Sequence, residues 1–182
     1  MTTAPIDDLL AFWFAPENRE RWFTPDPAFD AEIARRFAPL IADAMAGRLA
    51  GWVDEPRGAL ALCLLLDQFP RHVWRGTPRT FAGDAQARDV ARAALEMGHD
   101  RALAPEERHF LYLPFEHSES LADQERCVVL MGTLGDAEWL DYAVRHRDII
   151  ARFGRFAHRN AILGRPSTAE EVAFLQQPGS SF

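Results

Sequence analysis

Lysine is missing from this sequence: all twenty basic residues are arginine. That removes the Schiff-base lysine, the phosphate-loop lysine and the lysine general base from the available chemistry. It also limits what any single arginine signifies, since no position chose Arg over Lys for its planar fork. Cysteine is nearly missing as well. Cys63 and Cys127 lie far apart in apolar stretches, with no CxxC or finger spacing, so both read as buried free thiols in a reducing compartment. No apolar run approaches the ~20 residues that span a bilayer. The start, Met1-Thr-Thr-Ala-Pro-Ile-Asp-Asp, has neither the basic nor the apolar segment of a secretory leader. No membrane contact and a cytoplasmic location are therefore expected. HExxH, G-x-S-x-G and a Gly-rich phosphate loop are also lacking, so no metal and no cofactor are expected. Serine hydrolase and nucleotide-fold readings have no support.

What is present is an ordinary globular composition, 48% hydrophobic and 26% charged over 182 residues. A chain of that length buries roughly 70% of its unfolded surface, and residues 1–182 read as one domain. The net charge of −7 argues against a general nucleic-acid binder. The charge is unevenly spread: residues 106–125 hold six acids and one arginine, while 145–165 hold six arginines and Asp148. Two opposite blocks of equal size are expected to face each other.

Periodicity is helical throughout, with no strand alternation. Residues 5–14 form a first helix that breaks at Ala15-Pro16. Asp26-Pro27 opens a second, with Phe29, Ile33, Phe37, Ile41 and Met45 on one face and Gly47 as its stop. Asp54 caps a third whose centre, Leu60 to Leu66, is apolar all round and so buried on every side. Phe69-Pro70 ends it and Arg71 to Thr77 reads as a turn. Helices follow over 84–97, from Pro105 to a stop at Pro114, from about Ser120 to Gly132, and from Asp136 to Phe153. Ser167-Thr-Ala-Glu170 carries a capping-box signature for a short last helix. The expectation is all-α, with about seven main helices joined by short connections into antiparallel hairpins.

Two segments carry chemistry. In Tyr112-Leu-Pro-Phe-Glu-His-Ser-Glu119, Glu116 and His117 are the catalytic candidates, because a carboxylate beside an imidazole can hold and tune the ring for acid–base work. The structural alternative makes Ser118 or Ser120 a helix cap, with Glu119 at the positive end. In Arg152-Phe-Gly-Arg-Phe-Ala-His-Arg-Asn160, Arg152, Arg155 and Arg159 share a face if the helix continues through Gly154. Such forks bind carboxylate or phosphate. Their structural alternative is a buried ion-pair network with Glu116, Glu119, Asp123 and Glu125. Metal binding by His117, His146, His158 and Glu116 would require convergence in three dimensions.

The ordered strings Leu66-Asp-Gln-Phe-Pro-Arg71, Trp74-Arg-Gly-Thr77, Tyr112 to Glu119, Asp123-Gln-Glu-Arg126, Arg152-Phe-Gly-Arg-Phe, His158-Arg-Asn and Leu163-Gly-Arg-Pro-Ser-Thr168 together resemble the bacterial domain of unknown function 924 family over nearly the whole chain. The resemblance implies a tetratricopeptide-like, right-handed stack of helix hairpins and brings no activity with it. His72 stands where that family usually has asparagine, and Ala157 where it usually has proline. The resulting expectation is a pocket for an anionic small molecule, a carboxylate or phosphate. Glu116 and His117 would be catalytic in it, and Arg71, Arg75, Arg155, His158 and Arg159 would bind the ligand. The alternatives are a protein–protein interaction module and a purely structural polar network; no nucleic-acid or membrane partner is expected.

Overall fold

The computed structural model describes residues 4–181; part of the leader reading, on Met1-Thr-Thr, lies outside them. Among the described residues every regular element is helical. The α-helices are α1 (Ala4–Trp13), α2 (Pro27–Met45), α3 (Pro56–Cys63), α4 (Phe69–Val73), α5 (Asp84–Glu96), α6 (Pro105–Glu116), α7 (Leu121–Gly132), α8 (Ala137–Phe153) and α9 (Ala169–Leu175). The chain divides into two compact units, one formed by residues up to Arg75 together with Arg79–Pro114, the other by Gly76–Pro78 and the chain from Phe115 onward.

In the first unit every residue from Gly58 through Pro70 is buried, as an apolar surface all round a helix requires. α3 packs on α1 and α5, and α2 packs on α4. Trp13, fully buried, meets the rings of Phe69 at 5.3 Å and Phe110 at 5.4 Å. The expected stop at Phe69-Pro70 is wrong: the helix runs on to Val73. A π-helical turn over Leu64–Gln68 joins α3 to α4, and the Phe69 N–H reaches back five residues to the Leu64 carbonyl. A proline inside a helix loses one N–H and crowds the carbonyl four residues back, here Leu66. Widening the turn accommodates it. The Leu66 carbonyl meets the chain at Gly83, where a Cβ would stand 2.2 Å from its oxygen; only glycine fits.

Pro114 does not end α6 either, since the helix continues to Glu116. Asp54 is not the cap of α3: Glu55 occupies that position without a side-chain bond, and Pro56 opens the helix. Asp26 caps α2 by accepting from the Ala28 and Phe29 N–H groups at 2.9 and 3.1 Å, as its place before Pro27 predicted.

In the second unit α7 and α8 pack together across a short turn. Asp136 caps α8, and Gly154 ends it at φ +69°, a left-handed conformation that glycine adopts without a Cβ penalty. The core is Ile149, Ile150 and Phe156, with Phe153 and Phe174 packed against it. The capping box of α9 is one residue later than Ser167 and Glu170: Thr168 and Glu171 form it, reciprocally.

Candidate functional site

Because α8 stops at Gly154, Arg152, Arg155 and Arg159 do not share a helical face. Arg152 pairs with Glu170 at 2.8 Å. Arg155 grips both oxygens of Glu171, at 2.6 and 2.8 Å, and reaches the Pro166 carbonyl at 2.9 Å. That fork and the Thr168 N–H hold the Glu171 carboxyl down to about 2. Arg159 lies beyond, in a 3-10 turn over Ala157–Arg159. Its guanidinium is 4.4 Å from the Phe156 ring centre, and it donates to the His117 carbonyl at 3.1 Å.

The opposite charge blocks meet within the second unit at Glu119 and Arg165, paired through two hydrogen bonds of 2.7 and 2.9 Å. Glu119 also accepts from the Phe156 N–H at 2.8 Å. Burial pushes its carboxyl up, but the Arg165 fork and that N–H outweigh it and leave it below the ordinary range. Arg165 further donates to the Asn160 side chain at 3.0 Å and the Phe156 carbonyl at 3.1 Å, which shapes the turn carrying His158 and Arg159. Other arginines of the basic block take acids outside 106–125: Arg145 pairs with Asp141 and Arg147 with Asp148.

Glu116, His117, His146, His158 and Arg159 all belong to this unit. Glu116 is the last residue of α6 and is buried. Gln124 of α7, fully buried, donates to the carbonyls of Ser118 at 2.7 Å and Phe115 at 3.4 Å, which fixes the chain where α6 ends. Ser118 donates to Asp123 at 2.8 Å and accepts from the Ser120 N–H at 3.2 Å. Asp123 and Gln124 thereby anchor the 117–120 turn.

His146, from the middle of α8, bonds the Tyr142 carbonyl through Nδ1 at 2.8 Å. A carbonyl only accepts, so Nδ1 carries the proton and Nε2 the lone pair. The Glu116 carboxylate stands 3.6 Å from that Nδ1, and the His117 ring centre lies 6.3 Å from that of His146. Burial lowers His146 to about 3 and, with Arg159 beside it, His158 to about 4. Both rings are therefore neutral at neutral pH, able to donate and accept. Cys127 Sγ lies 3.9 Å from Glu116. Burial and that carboxylate push its thiol well up, so it is a poor nucleophile. Both cysteines are free and buried. Among the described residues no group of three or more His, Cys, Asp or Glu side chains is arranged to hold a metal.

Arg71 and Arg75 belong to the first unit. Arg71 binds Asp84 through two hydrogen bonds of 2.9 and 3.1 Å and lies 3.2 Å from Asp67. Arg75 reaches both oxygens of Asp30 at 3.1 Å. His72 shares that carboxylate through Nδ1 at 2.7 Å, and its burial lowers its pKa despite the partner. His146 was missed as a leading candidate from sequence. Its position inside the amphipathic α8 gave no signal, because its partners Tyr142 and Glu116 are visible only in the fold.

The model of a bacterial protein family of unknown function, the domain of unknown function 924, matches residues 9–179. This chain belongs to that family. A solved structure titled as a protein of unknown function, ATU0120, from Agrobacterium tumefaciens is 43% identical, covering 97% of this chain and 99% of that one at a TM-score of 0.92. No curated protein matches the chain. The expectation of an all-helical chain agrees with the described residues. No described helix is long and apolar enough to cross a membrane.

Proposed function

We propose that Glu116, His117, His146, His158 and Arg159 form an acid–base site for a small anionic molecule bearing a carboxylate or phosphate. The observation that carries this reading is His146. It is buried, with its tautomer set by the Tyr142 carbonyl and a carboxylate 3.6 Å away. This arrangement of imidazole, orienting oxygen and nearby carboxylate is how proteins prepare a ring nitrogen for proton transfer. Arg159 supplies a permanent positive charge, held over the Phe156 ring at 4.4 Å from its centre, and the neutral rings add donors without charge repulsion. Glu116 and His117 are the groups that exchange protons with the ligand in this reading, and His158 and Arg159 bind it. Two free, buried cysteines support a reducing, cytoplasmic setting.

A second reading is structural, and a specific observation favours it. The Arg155 and Arg165 forks are each engaged on an internal carboxylate, so these two arginines fasten the 155–171 segment. We therefore assign Arg155, Arg71 and Arg75 to scaffolding. The test is a melting screen against citrate, succinate, inorganic phosphate and sugar phosphates. The site reading expects at least one of them to raise the parent's melting temperature, with the shift lost in His117→Ala, because a ligand stabilises only the form that binds it. A variant that melts far below the parent, with no anion shifting either protein, would leave only the structural reading.

A further inference from the structure

The first unit holds an open hollow of about 420 Å³ between α1, the 3-10 turn over Pro16–Arg21 and α2. That size is within the range of small-molecule sites, ~300–1,000 Å³. Its wall on α1 is one helical face, Asp8, Ala11 and Phe12, spaced three and four apart, and Ala15 follows just beyond the helix. The two alanines leave the room, and Phe12, 7% exposed, is the floor.

Two arginines border this floor, and each is held on an aromatic ring. The Arg36 guanidinium sits 4.4 Å from the Phe12 ring centre and 5.0 Å from that of Phe37. Arg21 sits 4.4 Å from that of Phe29 and is further fixed by Asp26 at 2.7 Å and Asn18 at 3.2 Å. A planar fork already stacked loses little freedom when it binds a carboxylate. The same rim carries Asp8, Glu17 and Glu32, and Glu32 reaches Arg36 only at 3.7 Å. Along α1, Asp8 is four residues from Phe12, about 6 Å of helix axis. Asp8 thus stands one turn before the ring on which Arg36 lies, while Glu17 and Glu32 share the rim with the arginines.

A simple anion would meet three carboxylates here, and a simple cation two guanidiniums. A molecule with both charges set several ångström apart meets complementary groups at each end. We propose that this hollow binds a small peptide-like zwitterion of dipeptide size. Its carboxylate lies on Arg36 and Arg21, its ammonium at the Asp8 end, and its side chains on Phe12. This site is independent of the histidine cluster and of any reaction there.

The test is a titration of isotope-labelled protein with L-alanyl-L-alanine, followed by amide resonances. Saturable shifts confined to residues 8–36 are expected. N-acetylated dipeptide, C-amidated dipeptide, Arg36→Gln and Asp8→Asn should each weaken binding by about fivefold or more. Both variants are at partly exposed positions, and a dispersed spectrum checks that each folds. If one does not, the other and the blocked peptides still decide. No saturable shift up to ~50 mM, the weak limit for so small a ligand, would overturn the proposal. So would equal binding of the blocked peptides.

Discussion

The two units use the same residue types to different ends. In the first, Arg71 is closed onto Asp84 and Asp67 beside a helix that is buried along its whole middle. Charge is matched there by opposite charge at short range. In the second, Arg159 is among imidazoles that burial holds neutral, with a carboxylate standing off from His146 at 3.6 Å. The first arrangement spends its hydrogen-bonding capacity on the fold. The second keeps neutral imidazoles, each with one nitrogen that donates and one that accepts. A motif made of Asp, Gln and Arg is thus not by itself a site; what surrounds it decides.

The largest effect should come from breaking the first unit's ion cluster. Arg71→Ala leaves buried Asp67 and Asp84 without that guanidinium, and a loss of roughly 3–5 kcal/mol is expected in urea unfolding. Leu64→Ala comes next, at ~2–5 kcal/mol, because Leu64 is fully buried at the start of the π-helical turn and the cavity cannot collapse freely. If either costs under ~1 kcal/mol, the picture of a rigid, fully committed first unit is wrong.

A smaller effect is a pH dependence of stability. His146 and His158 are lowered from 6.5 to about 3 and about 4. Above pH 6.5 both are neutral folded and unfolded, and their contribution to stability is complete. As pH falls below 6.5 the unfolded chain takes up protons that the folded one refuses, so stability falls progressively toward pH 3–4. His72 acts in the same direction in the first unit. The expected result is declining unfolding free energy between pH 7 and 5, with a shallower slope in His146→Gln. A slope that His146→Gln leaves unchanged would mean this ring is not held neutral. The smallest effect is that of His117→Ala, half-buried in a turn, expected to cost under ~1 kcal/mol. Arg155→Ala should instead release Glu171 and loosen α9, visible as faster amide exchange in residues 169–175.

Much of the helical plan was legible in the sequence. Asp26-Pro27, Asp136 and Gly154 do what their chemistry prescribes at the ends of α2 and α8, because capping depends only on neighbours in sequence. The prolines misled for the complementary reason. Whether Pro70 stops a helix depends on whether the Leu66 carbonyl finds room, and that room is at Gly83, thirteen residues further on. The proposed site is legible in its residues and not in its grouping. Glu116, His117, His158 and Arg159 stand in local strings of the second unit, whereas Arg71 and Arg75 are ion-paired in the first. Arg155 faces Glu171, which no local pattern marked as its partner. His146 is identified by a carbonyl one turn back and a carboxylate thirty residues away, a relation that periodicity cannot carry.

The account turns on whether the histidine cluster meets ligand. The most direct measurement is a titration of the imidazole nitrogen resonances of His117, His146 and His158 with citrate and, separately, with inorganic phosphate. A binding site predicts that one of these anions shifts all three rings saturably, that the Nδ1-protonated form of His146 is seen before addition, and that the shifts vanish in Arg159→Gln while the protein stays folded. Imidazole resonances that ignore both anions to saturation, in a protein whose His146 is already in that tautomer, would contradict it and leave the cluster as scaffold.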